Sequence, residues 1–493
     1  MIETIQIILL LILFLVMALS MFFRKIPALI ALPLMAFFIP IISGVSLNDT
    51  IQLVVGQGSL KLHNAYTVAL FGSMLSILLQ KTKVADNFIK KGAELAGDNP
   101  WIIAVILLSL IMLLFTTLGG LGAIIMVATV VLPIMSSVGM SPKTVVGIFL
   151  IGLSMGGILN AGNWAVYVDV MGLSLSQVRP FALIMFGITY VMALIYITVQ
   201  LYRDGQDLKL KKILGYSLSG IAGIVMLALA YSHLSPEIRL VLQQALRVMG
   251  RALKIGIGAG MAFLFVYSGL KTVALKSVPE KDILWTAYFS PVIPLFLILI
   301  FNMNFIAAFI CGLLFGFVAT FRSGRLNVLV QSILEGGAVV MPAVALMLGI
   351  GMLLNAIMGP GGDWNQSHPA GWPVLNLLQP LLAHIIPSNG LMYIVIFGLA
   401  SPLALYRGPL NVWGMGYGLA AVFLASGMVP GAVMGLLMAV GQVQGICDPT
   451  NTHNVWLANE MQVDVQKVLW NAIPYAWAVA VTGLIFSALL FYS

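Results

Sequence analysis

Long apolar runs alternate with short polar joints along the whole chain. The runs fall at about 4–23, 26–44, 64–80, 100–118, 121–138, 142–159, 180–201, 213–232, 253–270, 283–301, 303–321, 339–358, 390–406, 409–425, 430–446 and 470–491. A helix rises about 1.5 Å per residue, so ~20 apolar residues cross the ~30 Å hydrocarbon core of a bilayer. The pattern predicts an all-α polytopic membrane protein. Two neighbouring pairs, 100–118 with 121–138 and 390–406 with 409–425, are joined by only a few residues: Thr116-Thr117-Leu118-Gly119-Gly120 in one, Ser401 through Gly408 in the other. Each pair is a re-entrant hairpin or two full spans, and loop charge does not separate these options, because both enter and leave on one side. Counted as hairpins, they leave about 12 spans.

The pattern also repeats. Gly139-Met140-Ser141-Pro142 recurs as Gly427-Met428-Val429-Pro430, an offset of 288, and Gly157-Ile158-Leu159-Asn160 matches Gly445-Ile446-Cys447-Asp448. After a two-residue insertion, Gln177-Val178 aligns with Lys467-Val468. Upstream the offset is 279: Leu47-Asn48 matches Leu326-Asn327, Gly58 matches Gly337 and Gly72 matches Gly351. The expected organisation is thus one repeat at 1–201, with a hairpin at 100–138 and a broken helix at 142–173. A connector at 202–282 with two spans follows, and then a second repeat at 283–493, with a hairpin at 390–425 and a broken helix at 430–460. The connector stretch Pro236–Arg251 is amphipathic and reads as a surface or loop helix.

Composition removes other classes. Of 493 residues 61% are hydrophobic and only 8% charged, with a mean hydropathy of +1.06; a soluble domain carries roughly 25% charged residues. A soluble enzyme, a secreted disulfide scaffold and a nucleic-acid binder are excluded. Cys311 and Cys447 sit in apolar surroundings without metal spacing and read as free thiols. The first run follows Glu3 rather than a basic stretch and lacks a small-residue cleavage site, so it is expected to be a first span rather than a signal peptide.

Charge then sets topology. With the 24–25 joint placed inside and each hairpin returning to its own side, Lys61, Arg179, Arg239, Arg247, Arg251, Lys254 and Arg407 fall outside or within the membrane. The other 17 of the 24 Lys and Arg fall inside (24 − 7 = 17). Basic residues favour the cytoplasmic side. On this path the first repeat starts outside and the second inside, so the repeats are inverted, the plan of alternating-access secondary transporters.

Within lipid a helix breaks only where protein or cavity water satisfies its freed backbone groups. Four polar places at matching positions of the two halves are the candidates: the two tips, and the expected unwound segments Asn160–Asn163 and Asp448–Asn454. Thr116, Thr117, Gly119, Gly120, Asn160, Asn163, Ser401, Arg407 and Asn411 are the candidate substrate-binding residues. Asp448, Thr450, Asn451 and His453 are the candidates for coupling to an ion. A helix N-terminus there favours a carboxylate and freed carbonyls suit a cation. Arg407 in a tip between apolar legs reads either as a snorkelling or structurally paired cation or as a bidentate contact to an anion. Asp169 and Glu460 are weaker coupling candidates; His63, His233, His368 and His384 lie near span ends and carry no expected chemistry. No Gly-x-Ser-x-Gly, HExxH or Walker motif occurs, so no enzyme, metal centre or cofactor is expected.

The stretch SVGMSPKTVVGIFLIGLSMGGILNAGNWAVYVDVMGLS resembles the first-repeat core of the citrate transporter family within the ion transporter superfamily. SPLALYRGPLNVW together with GQVQGICDPTNTHNVWLANEMQVDVQKV is similar to that family's second-repeat core. The resemblance implies two inverted repeats, elevator-like or rocking access, and H+- or Na+-driven uptake of a carboxylate; it also implies a homodimer. Members that carry metal–citrate complexes have an acidic first tip of the form TDGDGSTT, where this chain has Thr116-Thr117-Leu118-Gly119-Gly120. Leu403 stands where their second tip has Asp, and Arg407 where it has Phe. These departures favour a free organic anion over a metal complex.

The expected function is secondary active transport of a di- or tricarboxylate or similar carboxylate across a bacterial inner membrane, with the lipid bilayer as its surroundings. A cation/proton antiporter on the same scaffold, with Asp448 as carrier acid and Arg407 its partner, is the alternative. A non-transporting receptor or scaffold is less in keeping with matched helix interruptions in both halves.

Overall fold

The computed structural model describes residues 2–23, 25–95, 97, 99–208, 236–274, 282–322, 326–361, 371–382 and 386–492. Every regular element among them is helical. The chain runs through α1 (Ile2–Phe22), α2 (Ala28–Ile42), α3 (Leu47–Leu60) and α4 (His63–Lys81), the last two meeting at a 40° bend. The amphipathic α5 (Val84–Leu95) leads to α6 (Pro100–Phe115) and α7 (Leu121–Ser137). Then α8 (Pro142–Ile158) and α9 (Ala161–Met171) meet at 50°, and α10 (Leu175–Arg203) follows. After α11 (Pro236–Gly269), α12 (Ile293–Phe301) and α13 (Phe305–Thr320) comes the long α14 (Leu326–Met358). The remainder is α15 (Pro373–Leu382), α16 (Gly390–Ala400), α17 (Tyr417–Ala425), α18 (Pro430–Cys447), α19 (Thr452–Glu460) and α20 (Val465–Phe491).

Among the described residues, seven helices are long and apolar enough to cross a membrane, or up to nine if each bent pair counts as one span. The protein is membrane-embedded. Leu11 and Leu15 of α1 and Leu489 of α20 are more than half exposed, a cost in water that disappears against lipid tails. α8 and α18 are the opposite case: Thr144–Gly152 and Gly431–Val440 are buried without a gap. Helices apolar on every face occupy the centre of a fold, and these two do.

Local chemistry accounts for the ends. Asn99 Oδ1 accepts from Trp101 N and Ile102 N at 2.9 and 3.2 Å, with Pro100 opening α6. Gly139 and Gly427, paired by the repeat, have φ of +81° and +93°, a region open to glycine at little cost. Three residues on, Pro142 and Pro430 open α8 and α18, where a missing N–H is harmless.

Several expectations are corrected. The run at 283–301 is not one helix: a 3-10 turn at Trp285–Phe289 precedes Pro291 and Pro294, and only Ile293–Phe301 is α-helical. At ~1.5 Å per residue that nine-residue helix is too short to cross. The amphipathic stretch 236–251 is no separate surface helix but continues into the apolar run at 253–270 as α11. The breaks are also shorter than expected: 161–163 and 452–454 are already helical. The expected span at 213–232, and His233, His368 and His384, lie outside the described residues.

Candidate functional site

The first break is two residues long. Asn160 Oδ1 caps α9 by accepting from Gly162 N at 2.8 Å, and its Nδ2 donates to Phe115 O, at the end of α6, at 3.3 Å. Carbonyls freed at the end of α8 are taken by side chains of α9: Asn163 Nδ2 donates to Gly157 O at 2.8 Å and Trp164 Nε1 to Ile158 O at 2.7 Å. One short polar run thus satisfies the break and ties it to the first tip, as buried backbone requires.

The second break repeats the device with an acid. Asp448, wholly buried, is the only acid among the fully buried described residues. Its Oδ1 accepts from Tyr406 N, Thr450 N and Thr450 Oγ1 at 3.1, 2.9 and 2.7 Å, and its Oδ2 from Asn411 Nδ2 at 3.1 Å. Asn451 Nδ2 donates to Gln444 O, and Asn454 Nδ2 to Asp448 O. Three donors crowd Oδ1 and one meets Oδ2, so in this conformation Asp448 binds the second tip to the break and keeps one acceptor position free on Oδ2.

The second tip is strained. After the turn begun at Ser401, Tyr406 and Arg407 have consecutive φ values of +55° and +57°, which cost a non-glycine residue ~1–2 kcal/mol each. The conformation aims Tyr406 N at Asp448, while Tyr406 Oη donates to Gln466 Oε1 at 2.8 Å. Arg407 is exposed and makes no ion pair with Asp448.

Both tips and both breaks border one cavity of about 830 Å³. The first tip contributes Thr117, Gly119 and Gly120, and the first break Asn160 and Asn163; the second tip contributes Arg407 and Asn411, and the second break Asn451 and His453. Thr116 and Ser401 stay behind, their hydroxyls donating to Leu113 O and Phe397 O of their own helices. Asp448 and Thr450 lie in the wall rather than on the surface. Asp169 is elsewhere, accepting from Asn64 Nδ2 and Ala65 N.

The electrostatics favour an anion. The first turns of α7, α9 and α19 line the cavity, as does Arg407, and among the described residues no Asp or Glu does. Each helix start carries about +0.5 charge and unpaired N–H groups. Phe115, Phe309, Trp413 and Tyr417 supply apolar and aromatic wall.

Residues outside the expected set complete it. Ser154 and Gln442 line the cavity and bond to each other, Ser154 Oγ to Gln442 Oε1 at 2.7 Å. Gln444 Oε1 accepts from Val412 N at 2.7 Å, and Ser73 Oγ is buried at the wall with no partner. Polar side chains within the apolar runs at 142–159 and 430–446 were the available signal; the glutamines of Gln442-Val443-Gln444 stand out most.

Helices paired by the 279- and 290-residue sequence offsets also pack on one another. On α10 and α20, Phe181 faces Phe491 and Tyr196 faces Tyr475 at ring separations of 5.9 and 5.0 Å, so the two run antiparallel. On α3–α4 and α14, Gly58 meets Gly351 and Met74 meets Gly336, again antiparallel.

No protein-family model matches the chain, and no curated protein matches it. The resemblance to citrate transporters therefore rests on the two quoted stretches.

Proposed function

We propose that the protein is a secondary active transporter that carries a small organic anion, a di- or tricarboxylate or similar carboxylate, by alternating access. The observation that carries this reading is the cavity: Arg407, three helix starts and no carboxylate converge on it from both tips and both breaks. A guanidinium holds a carboxylate bidentately, and helix starts bind anions through their N–H groups. The aromatic wall suits an organic rather than an inorganic ion.

The architecture proposed with it is two inverted repeats and two re-entrant hairpins, with the run at 283–301 not counted among the full spans. Antiparallel packing of α10 on α20 and of α3–α4 on α14 supports inversion, because these are the pairs the 290- and 279-residue offsets equate. The second leg of the 390–425 pair supports a hairpin, since the π turn Val412–Gly416 and α17 together reach only part way across. The protein resides in a bacterial inner membrane and moves its substrate without transforming it.

Asp448 is the coupling residue. A proton or Na+ taken up there competes with its four donors for the carboxylate, and two of them, on Tyr406 and Asn411, belong to the second tip. Ion uptake therefore alters the hold on the tip that carries Arg407.

Purified protein in proteoliposomes, given labelled di- and tricarboxylates under a pH or a Na+ gradient, tests the reading. Uptake is expected with one gradient, and Arg407→Ala should raise KM at least tenfold. Unchanged affinity in Arg407→Ala would refute the anion site. Gradient-driven proton flux, seen with a pH-sensitive dye and with no carboxylate uptake, would establish the antiporter instead.

A further inference from the structure

A second cavity, of about 580 Å³, shares no lining residue with the first. It is bounded by Lys61 at the α3–α4 bend, by Asp169–Gly172 at the end of α9, by Met358 at the end of α14, and by the joint Gly427–Pro430. Three helices reach from one cavity to the other. On α9, Tyr167 lines the first and Val170 the second; on α17 the pair is Tyr417 and Leu424, and on α14 it is Met347 and Met358. At ~1.5 Å per residue these intervals are about 5, 10 and 16 Å, so only a few side-chain layers divide the two spaces. Tyr167, Tyr417, Leu353 and Leu354 are buried in that partition.

The two cavities belong to opposite faces. On the topology set by the basic residues, the joints before α4 and after α9 lie on the face away from most Lys and Arg, and the end of α14 and the joint before α18 sit beside them. The second cavity draws on all four. The first instead reaches Met21, Ile26 and Ala28, at the α1–α2 joint on the basic face.

Its two charges, on Lys61 and Asp169, are not paired with each other. Asp169 has both oxygens engaged, Oδ1 by Asn64 Nδ2 and Oδ2 by Ala65 N, each at 3.2 Å. Lys61 is half-buried and, among the described residues, has no ion pair. With Asp169 held by other donors, the ammonium of Lys61 stays available to an incoming anion.

We infer that this second cavity is the far-side vestibule of the transport path, closed in this conformation by the Tyr167–Tyr417 partition, and that Lys61 draws carboxylates into it. The inference rests on the transporter reading but can fail separately from it.

The test uses the full chain in right-side-out vesicles, with Cys311→Ser to remove the exposed thiol and Val429→Cys as reporter; Cys447 is buried. Membrane-impermeant thiosulfonates, one anionic and one cationic, are added from either face, and Lys90→Cys on the exposed side of α5 marks the basic face. Cys at 429 should react only from the face opposite the Lys90 marker. Lys61→Gln should cut the anionic-to-cationic rate ratio about tenfold, and Lys61→Arg should keep it. Reaction from the basic face, or a ratio that Lys61→Gln leaves unchanged, overturns the inference. Neither readout needs uptake: transport with an unchanged ratio refutes the vestibule alone. A shifted ratio with no carboxylate uptake supports the anion-drawing cavity and refutes only the transporter.

Discussion

Ser154 and Gln442 stand 288 positions apart and meet in a 2.7 Å hydrogen bond at the wall of the main cavity. The offset is the one that equates the two halves at Gly139 and Gly427. In the proposed inverted-repeat arrangement corresponding positions touch only on the two-fold axis, and this bond joins α8 to α18 beside the proposed site.

Removing that bond has a measurable cost. Ser154→Ala and Gln442→Ala should each destabilise the protein by about 1 kcal/mol, the usual worth of a hydrogen bond. The double variant should lose less than the sum, read as a double-mutant cycle on thermal unfolding in detergent. Strict additivity would mean that the two side chains do not depend on each other.

Asp448 should be intolerant of truncation. Asp448→Ala leaves four donors without an acceptor, each worth roughly 1–3 kcal/mol when buried, so little folded protein is expected by size-exclusion fluorescence. Asp448→Asn keeps one oxygen for Tyr406 N and Thr450 and loses mainly the Asn411 bond. It should fold, with a lower Tm and carboxylate uptake that no longer responds to the driving gradient. Gradient-driven uptake at the wild-type rate in Asp448→Asn would exclude it as the coupling residue.

Gly139→Ala and Gly427→Ala place a side chain at φ of +81° and +93°, which should cost about 1 kcal/mol each. Gly187→Ala, in mid-α10 with no atom near its added Cβ, should be neutral or slightly stabilising. Equal Tm values for the three would show that the repeated glycines are not held in the left-handed conformation.

Asp86, on the polar α5 between spans, predicts a pH effect. Its Oδ1 is buried without a hydrogen-bond partner, and burial raises its pKa above 3.8 despite the nearby Lys90 and Lys83. The folded state therefore holds this proton more tightly than the unfolded one, and stability falls as pH rises through the raised value. Asp86→Asn should have the higher Tm at pH 7, with the gap closing on acidification toward pH 3.8. A lower Tm for the variant at neutral pH would mean that the lysine attraction outweighs burial.

The apolar periodicity alone determined the helical membrane class, because lipid forces backbone bonding inside each segment. The repeated Gly-Met-x-Pro also located two helix starts, since glycine and proline act through their own backbone limits. Arg407 and the two breaks were visible as polar residues set in apolar runs. Tertiary structure decided what those residues do. Asp448 reads in sequence as an ion-coupling acid, with Arg407 as its partner in the antiporter reading, yet beside Thr450 its donors are Tyr406 and Asn411, some 40 positions upstream on another element. The run at 283–301 looks like a span because hydropathy does not register Pro291 and Pro294, which delay the start of the α-helix to Ile293. Lys61 and Asp169 are 108 positions apart and share a cavity only because α9 packs against α4. Apolar pattern and backbone limits act within a few residues, so sequence carries them; counter-charges and hydrogen-bond partners are set by which helices meet, and that is decided only when the helices pack.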